Sequence, residues 1–276
     1  MLTKIERMKI NFILLLQLLL GSGLSFSQTD KVGFQTREIF KTPEARQGVA
    51  VDANYFYAVN STGIGKYNKE TGSLVLSWKD TTGNIVHLDG GVVIKDKLFC
   101  AHSNYPGIPM TSSIEIFTTK DLKHIGSHSF GIKYGSCTWA DFYYNSWWIC
   151  FAHYDQFKKD INKGTEWTVV VRFDRDWNEK ESWTFPQNVI SEIKPMSVSG
   201  GSWCADGKLY IAGHDSAKVY ILKLPQSGSV FEYLQSVKID SRGQGIAWDR
   251  SEKDKLFGII RKDNSVVVSE LMQGKQ

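Results

Sequence analysis

Short apolar runs, rich in Val, Ile, Tyr, Phe and Trp and bounded by Gly, Asn, Asp and Ser, follow one another along almost the whole chain. Residues 56–59, 74–78, 114–117, 169–173, 209–212, 219–222 and 266–269 are examples. This pattern predicts short β-strands. No stretch of a dozen residues beyond the N-terminus carries helical periodicity, and 189–193 offers at most one helical turn. The fold class is all-β.

Several runs close on a related phrase: Ala58-Val59-Asn60, Cys100-Ala101-His102, Phe151-Ala152-His153, Ala212-Gly213-His214 and Ile259-Ile260-Arg261. The gaps between the final polar residues are 42, 51, 61 and 47. That spacing marks propeller blades of four strands each. The first four units supply four strands apiece, but the fifth runs out after residues 265–270 without an outer strand. Residues 34–41, ahead of the first unit, are a strand without a unit. Joining the two predicts a five-bladed β-propeller closed by an N-terminal strand that completes the last blade. Such closure removes the open sheet edges that invite aggregation.

The first 27 residues stand apart. Lys4, Arg7 and Lys9 give a basic start, and 10–20 is apolar apart from Asn11 and Gln17, too short to span a bilayer but right for a signal-peptide core. Small residues at Ser25 and Ser27 predict cleavage before Gln28. The expected organisation is therefore a signal peptide over 1–27 and one propeller domain over 28–276, secreted or periplasmic. Removing the leader lowers the formal charge from +4 to +2. With no basic run left, a nucleic-acid partner is excluded, and no later segment spans a membrane. The expected species is a monomer with a small-molecule substrate or ligand. Cys100, Cys137, Cys150 and Cys204 all sit inside apolar runs without metal-ligand spacing, and read as buried thiols rather than disulfides.

In a propeller the ends of the second strands and the starts of the inner strands meet on one rim. Asn60, His102, His153, His214 and Arg261 come there from the repeated phrase, and His87, Gln47 and Gln244 from the inner-strand starts. Gln47 and Gln244 open matching phrases, Gln-Gly-Val-Ala-Val-Asp and Gln-Gly-Ile-Ala-Trp-Asp. The two longest loops, 103–112 with Asn104 and Tyr105, and 154–167, rise beside two of the histidines; long loops on one rim often carry function.

Three readings of the histidines stand side by side. His102, His153 and His214 could hold a divalent metal with one position open. They could act as acids, bases and donors around an organic ligand, or each could pin its own blade. One feature counts against convergence: the aromatic residue precedes the polar end by three positions in units one and two but by four in units four and five, which places the ends on opposite strand faces unless a bulge intervenes. Trp78, Trp183, Phe130 and Phe185 read as packing between blades, and Asp52, Asp206 and Asp249 as caps of turns on the opposite face. No motif for a nucleotide cofactor occurs.

Taken together, Gln47 to Asp52, His102-Ser103-Asn104-Tyr105-Pro106, Phe151-Ala152-His153-Tyr154-Asp155, Gly200-Gly201-Ser202-Trp203 and Gln244 to Arg250 resemble exported bacterial propellers of the quinoprotein-like and lactonase-like class, a group sometimes labelled cycloisomerase. The resemblance covers all of 28–276 and implies the fold; function does not follow from fold. Plant-type glutaminyl cyclases are similar in size, blade count and Gln-Gly blade starts. The leading expectation is an enzyme, a lyase, isomerase or hydrolase, acting on a small polar substrate, with carbohydrate-derived molecules among the candidates. His102, His153 and His214 would supply acid–base chemistry or bind metal, and Arg261 would neutralise a carboxylate or oxyanion. Gln47, Asn60, His87, Asn104, Tyr105 and Gln244 would bind the substrate. The rival is a non-catalytic binding or scaffold module, marked by an exposed aromatic platform at Tyr105, Trp167 or Trp203.

Overall fold

Strand β1 (Val32–Lys41) opens the part of the chain that the computed structural model describes, residues 32–273. The expected signal peptide and the cleavage before Gln28 lie outside those residues. Blade one follows as β2 (Gly48–Val51), β3 (Tyr55–Asn60), β4 (Gly63–Asn68) and β5 (Leu74–Lys79), and blade two as β6 (Leu88–Ile94), β7 (Lys97–Ser103), β8 (Ser112–Thr118) and β9 (His124–Gly131). Blade three is β10 (Ser136–Tyr143), β11 (Ser146–Ala152), β12 (Val169–Phe173) and β13 (Glu179–Thr184). Blade four is β14 (Gly200–Trp203), β15 (Leu209–Ala212), β16 (Lys218–Lys223) and β17 (Glu232–Lys238). Blade five has β18 (Ala247–Trp248), β19 (Lys255–Ile260) and β20 (Ser265–Gln273), and its outer position is filled by β1. β1 runs antiparallel to β20 from the Val32–Gln273 pair to Lys41–Ser265. Five four-stranded sheets therefore close into a ring with strands from both ends of the described chain, as the spare and missing strands predicted.

The strand patterns show why the sheets stack. β3 is buried along its middle, whereas β5 alternates between exposed and half-buried positions as an outer strand should. Large side chains fill the spaces between blades: Trp78 meets Phe117 at 4.8 Å and Phe130 meets Phe151 at 5.0 Å. Trp148, Trp183, Trp203 and Phe231 share the core between blades three and four. Each such side chain contributes about 1.5–3 kcal/mol by leaving water. All four cysteines are free and buried. The longest helix among the described residues, Gln187–Ile193, packs Val189, Ile190 and Ile193 into that same core. No helix among the described residues is long and apolar enough to cross a membrane.

Near the axis the inner strands approach too closely for side chains. A Cβ on Gly48 would lie 2.6 Å from the Cα of Gly90, and one on Gly245 would lie 2.6 Å from the Cα of Gly48. The amide of Gly245 donates to the carbonyl of Gln47 at 2.9 Å. These glycine contacts form a floor across the channel. On the far side Arg250 donates twice to Asp141, at 2.7 and 2.9 Å. Asp52, Asp206 and Asp249 accept amide hydrogens two or three residues ahead and cap their turns, as expected.

Candidate functional site

Above the glycine floor, at the mouth where inner strands start and second strands end, lies a cavity of about 290 Å³. Its two sides differ. Blades two and three supply an aromatic wall: His87 from the segment before β6, Tyr105 from the loop after β7 and Tyr154 from the loop after β11. The ring of Tyr105 lies 5.1 Å from that of His87 and 5.1 Å from that of Tyr154. Met196 extends this surface. Blades one, four and five supply a polar wall of Gln47, Ser199, His214, Gln244 and Arg261.

The polar wall is held at its edges and open at its centre. Gln47 donates to Ser61 Oγ at 2.9 Å. His214 lies past the end of β15, free of the ladder, and its Nδ1 meets Asp215. Arg261 begins a short 3-10 turn after β19 and reaches His214 Nε2 at 3.3 Å. A guanidinium can only donate, so this contact leaves the imidazole proton on Nδ1, facing the Asp215 carboxylate. No carboxylate lies at ion-pair distance from Arg261 among the described residues. Gln244 is 2% exposed, and its Nε2 has no hydrogen-bond partner. Its φ of +63° is a left-handed conformation that a non-glycine residue adopts at an energetic cost. The amide of Gln244 donates to Gly213 O at 2.9 Å, which holds that turn against blade four.

Beneath the aromatic wall a carboxyl is buried. Asp89 is 3% exposed, and His87 Nε2 stands 3.5 Å from its Oδ2. Burial pushes the Asp89 carboxyl well above the usual carboxylate range, and the nearby Arg261 charge offsets only part of this. His87 is held down to about 4, first by burial and then by the charges of His102 and Arg261. Both groups thus favour their neutral forms, a carboxylic acid beside a free imidazole. Burial also raises the phenol of Tyr154.

Six of the expected residues converge here: Gln47, His87, Tyr105, His214, Gln244 and Arg261. Four do not. His102 is locked within its ladder: its Nε2 accepts from the Val86 amide at 3.2 Å, and its Nδ1 faces Ser113 Oγ at 2.9 Å. His153 turns away, meeting the carbonyl of Tyr134 at 2.7 Å through Nε2. Asn60 caps its own turn by accepting the Thr62 amide at 2.9 Å, and Asn104 ties its own loop through Pro109 O and the Thr111 amide. The set His102, His153 and His214 is therefore not a joint metal site, since each ring has separate partners. No group of three His, Cys, Asp or Glu among the described residues is arranged to hold a metal ion. Trp203 is also no platform, being 2% exposed. The expectation omitted Tyr154, Met196, Ser199 and Asp89. Tyr154 directly follows the phrase ending in His153 and Asp89 begins an inner strand, so position pointed to both; nothing in the sequence pointed to Met196.

No family model matches the chain, and no curated protein matches it. Solved structures do. The glutaminyl cyclase of Myxococcus xanthus aligns at a TM-score of 0.61 and 10% identity, over 90% of this chain and 100% of that one. The PQQ-bound aldose sugar dehydrogenase of Streptomyces coelicolor aligns at 0.54 and 10% identity, over 88% and 99%. The likeness is one of fold. Enzymes are among the propellers that share it.

The buried imidazole makes stability depend on pH. An unfolded histidine takes up a proton near pH 6.5, whereas folded His87 resists until about 4, so its contribution is present above 6.5 and is lost as pH falls. At pH 5 the loss is about 2 kcal/mol. Asp89 acts in the opposite sense, because its raised value removes stability as pH rises above about 4. The two are separated by comparing thermal melts of the native chain and His87→Gln across pH 4.5–7.5. The gap between the two proteins should narrow toward acid; a constant gap would show that His87 is solvated.

Proposed function

We propose that the channel-mouth cavity is the active site of an enzyme that performs acid–base chemistry on a small polar molecule bearing a carboxylate or carbonyl group. The carrying observation is an Arg261 guanidinium without a carboxylate partner, on the same cavity as His87 and above the buried Asp89. A charged donor left open in a half-buried cavity suits an oxyanion. Arg261 and Gln244 take the substrate oxygens, while Tyr105 and Tyr154 hold its carbon skeleton and exclude water. His87, unprotonated at neutral pH, accepts a proton from the substrate or from an attacking water. Asp89, kept protonated by burial, lies behind His87 rather than on the cavity wall, and supplies the proton returned to the leaving group or to the developing oxyanion by way of the His87 ring, 3.5 Å away. The proton count balances, and the reaction falls in the lyase, isomerase or hydrolase class. His214 orients Arg261 rather than moving protons.

The test screens the full chain against hydroxy acids, uronic acids, lactones and glutaminyl dipeptides, reading binding by thermal shift and turnover by NMR. At least one compound should bind and be converted. Asp89→Asn, an isostere without the acid, should keep binding and lower turnover by about 10²–10⁴-fold. Binding without turnover would make the protein a ligand-binding module, and no binding at all would remove the site.

A further inference from the structure

A second cleft, of about 590 Å³, opens on the other flank of the loop that carries Tyr154. It shares no lining residue with the channel-mouth cavity. Tyr154 leaves that loop toward the channel, whereas Lys163, Glu166 and Trp167 leave it toward this cleft. We propose that the cleft is a carbohydrate-binding site, with Trp167 as the surface on which a sugar ring lies.

Its walls define the ligand. Trp167 is 54% exposed, an open indole in a protein whose other tryptophans largely serve the core, and Val169 lies beside it. A flat apolar surface of this size calls for a ligand with a flat apolar face. The surrounding groups call for hydroxyls. Lys163 Nζ sits over the Trp167 ring, 5.4 Å from its centre, and makes no ion pair among the described residues, so it offers hydrogen-bond donors beside the indole. Glu166 is ionised, held to about 2 by Lys158 and by Lys194, the latter at 3.0 Å, and keeps lone pairs to spare. His153 forms part of the wall with its proton on Nε2, which leaves Nδ1 a buried acceptor without a partner. An apolar ligand would leave Lys163 and Glu166 unanswered. A simple anion would face Glu166, and a simple cation would face Lys163. A pyranose has C–H faces that pack on an indole and hydroxyls that both donate and accept, so it matches the whole wall.

The test uses saturation-transfer NMR and titration of the full chain with monosaccharides and short neutral and acidic oligosaccharides. At least one should bind, and Trp167→Ala should weaken it by at least about fivefold, the loss of about 1 kcal/mol of ring contact. Trp167→Phe should recover part of the loss. Because Trp167 is exposed, the variant should melt with the native chain. The affinity of that sugar should be unchanged in Arg261→Met, which separates this cleft from the channel-mouth reading. Absence of saccharide binding, or binding lost in Arg261→Met but indifferent to Trp167→Ala, would overturn the proposal.

Discussion

Gly200→Ala should melt at least about 10 °C below the native chain, the consequence of a destabilisation above about 4 kcal/mol in a domain of this size. A Cβ there would sit 2.1 Å from the carbonyl oxygen of Gln244 and 2.9 Å from the Cα of Gly245. Both neighbours are backbone of the segment leading into the next inner strand, so no side chain can swing away to relieve the clash. The strain passes around the axis, because Gly245 lies against Gly48, and Gly48 against Gly90. Opening one contact loosens the floor of the cavity and with it Gln244. Gly126→Ala is the control. It lies in outer strand β9 with nothing within 4 Å of the added carbon, and its melting temperature should change little. Thermal melts followed by circular dichroism decide the matter. If Gly200→Ala melted with the native chain, the axis would have slack and the inner-strand glycines would not set the floor.

The contrast between the floor and the rim explains which features the sequence displayed. Blade count was legible because every strand must present apolar residues to its neighbours, and that need repeats with the fold. The closing strand was legible by subtraction, from residues 34–41 without a blade and a last blade without an outer strand. Site residues were legible only where they lie beyond the ladder. His214 and Arg261 follow the last paired residues of β15 and β19, so the turn rather than the pleat aims them, and both reach the cavity. His102 pairs with Ser113 inside β7, where alternation fixes its direction, and a register shift between Leu88 and Gly91 lies alongside. The odd and even spacing of aromatic and polar positions had marked this difference. His153 also lies past its strand but finds the Tyr134 carbonyl first. Counting histidines thus misdirected the metal reading, while the less conspicuous His87 and Asp89 gained the perturbed environment. Burial, which decides that environment, depends on contacts between blades that no local pattern records.

For the substrate identified in the acid and lactone screen, Arg261→Met should lower kcat/KM by about 10²–10³-fold, the usual effect of removing one donor from a developing oxyanion. The loss should fall mainly on kcat if the guanidinium acts in the transition state, and on KM if it only anchors a carboxylate. A structural role predicts neither. Arg261 is half-buried and its side chain touches His214 alone among the polar groups on the polar wall, so the variant should fold. The pH profile gives an independent reading. Asp89 must be protonated to act, so activity should decline on the alkaline side as Asp89 ionises. The Arg261 charge lowers the Asp89 value, and its removal should therefore move that alkaline limb to higher pH. Arg261→Lys keeps the charge but loses the planar fork, and should leave the limb near its native position while recovering only part of the rate. An unchanged rate together with an unmoved limb in Arg261→Met would remove the guanidinium from the chemistry, and with it the reason for placing a reaction at this mouth of the propeller.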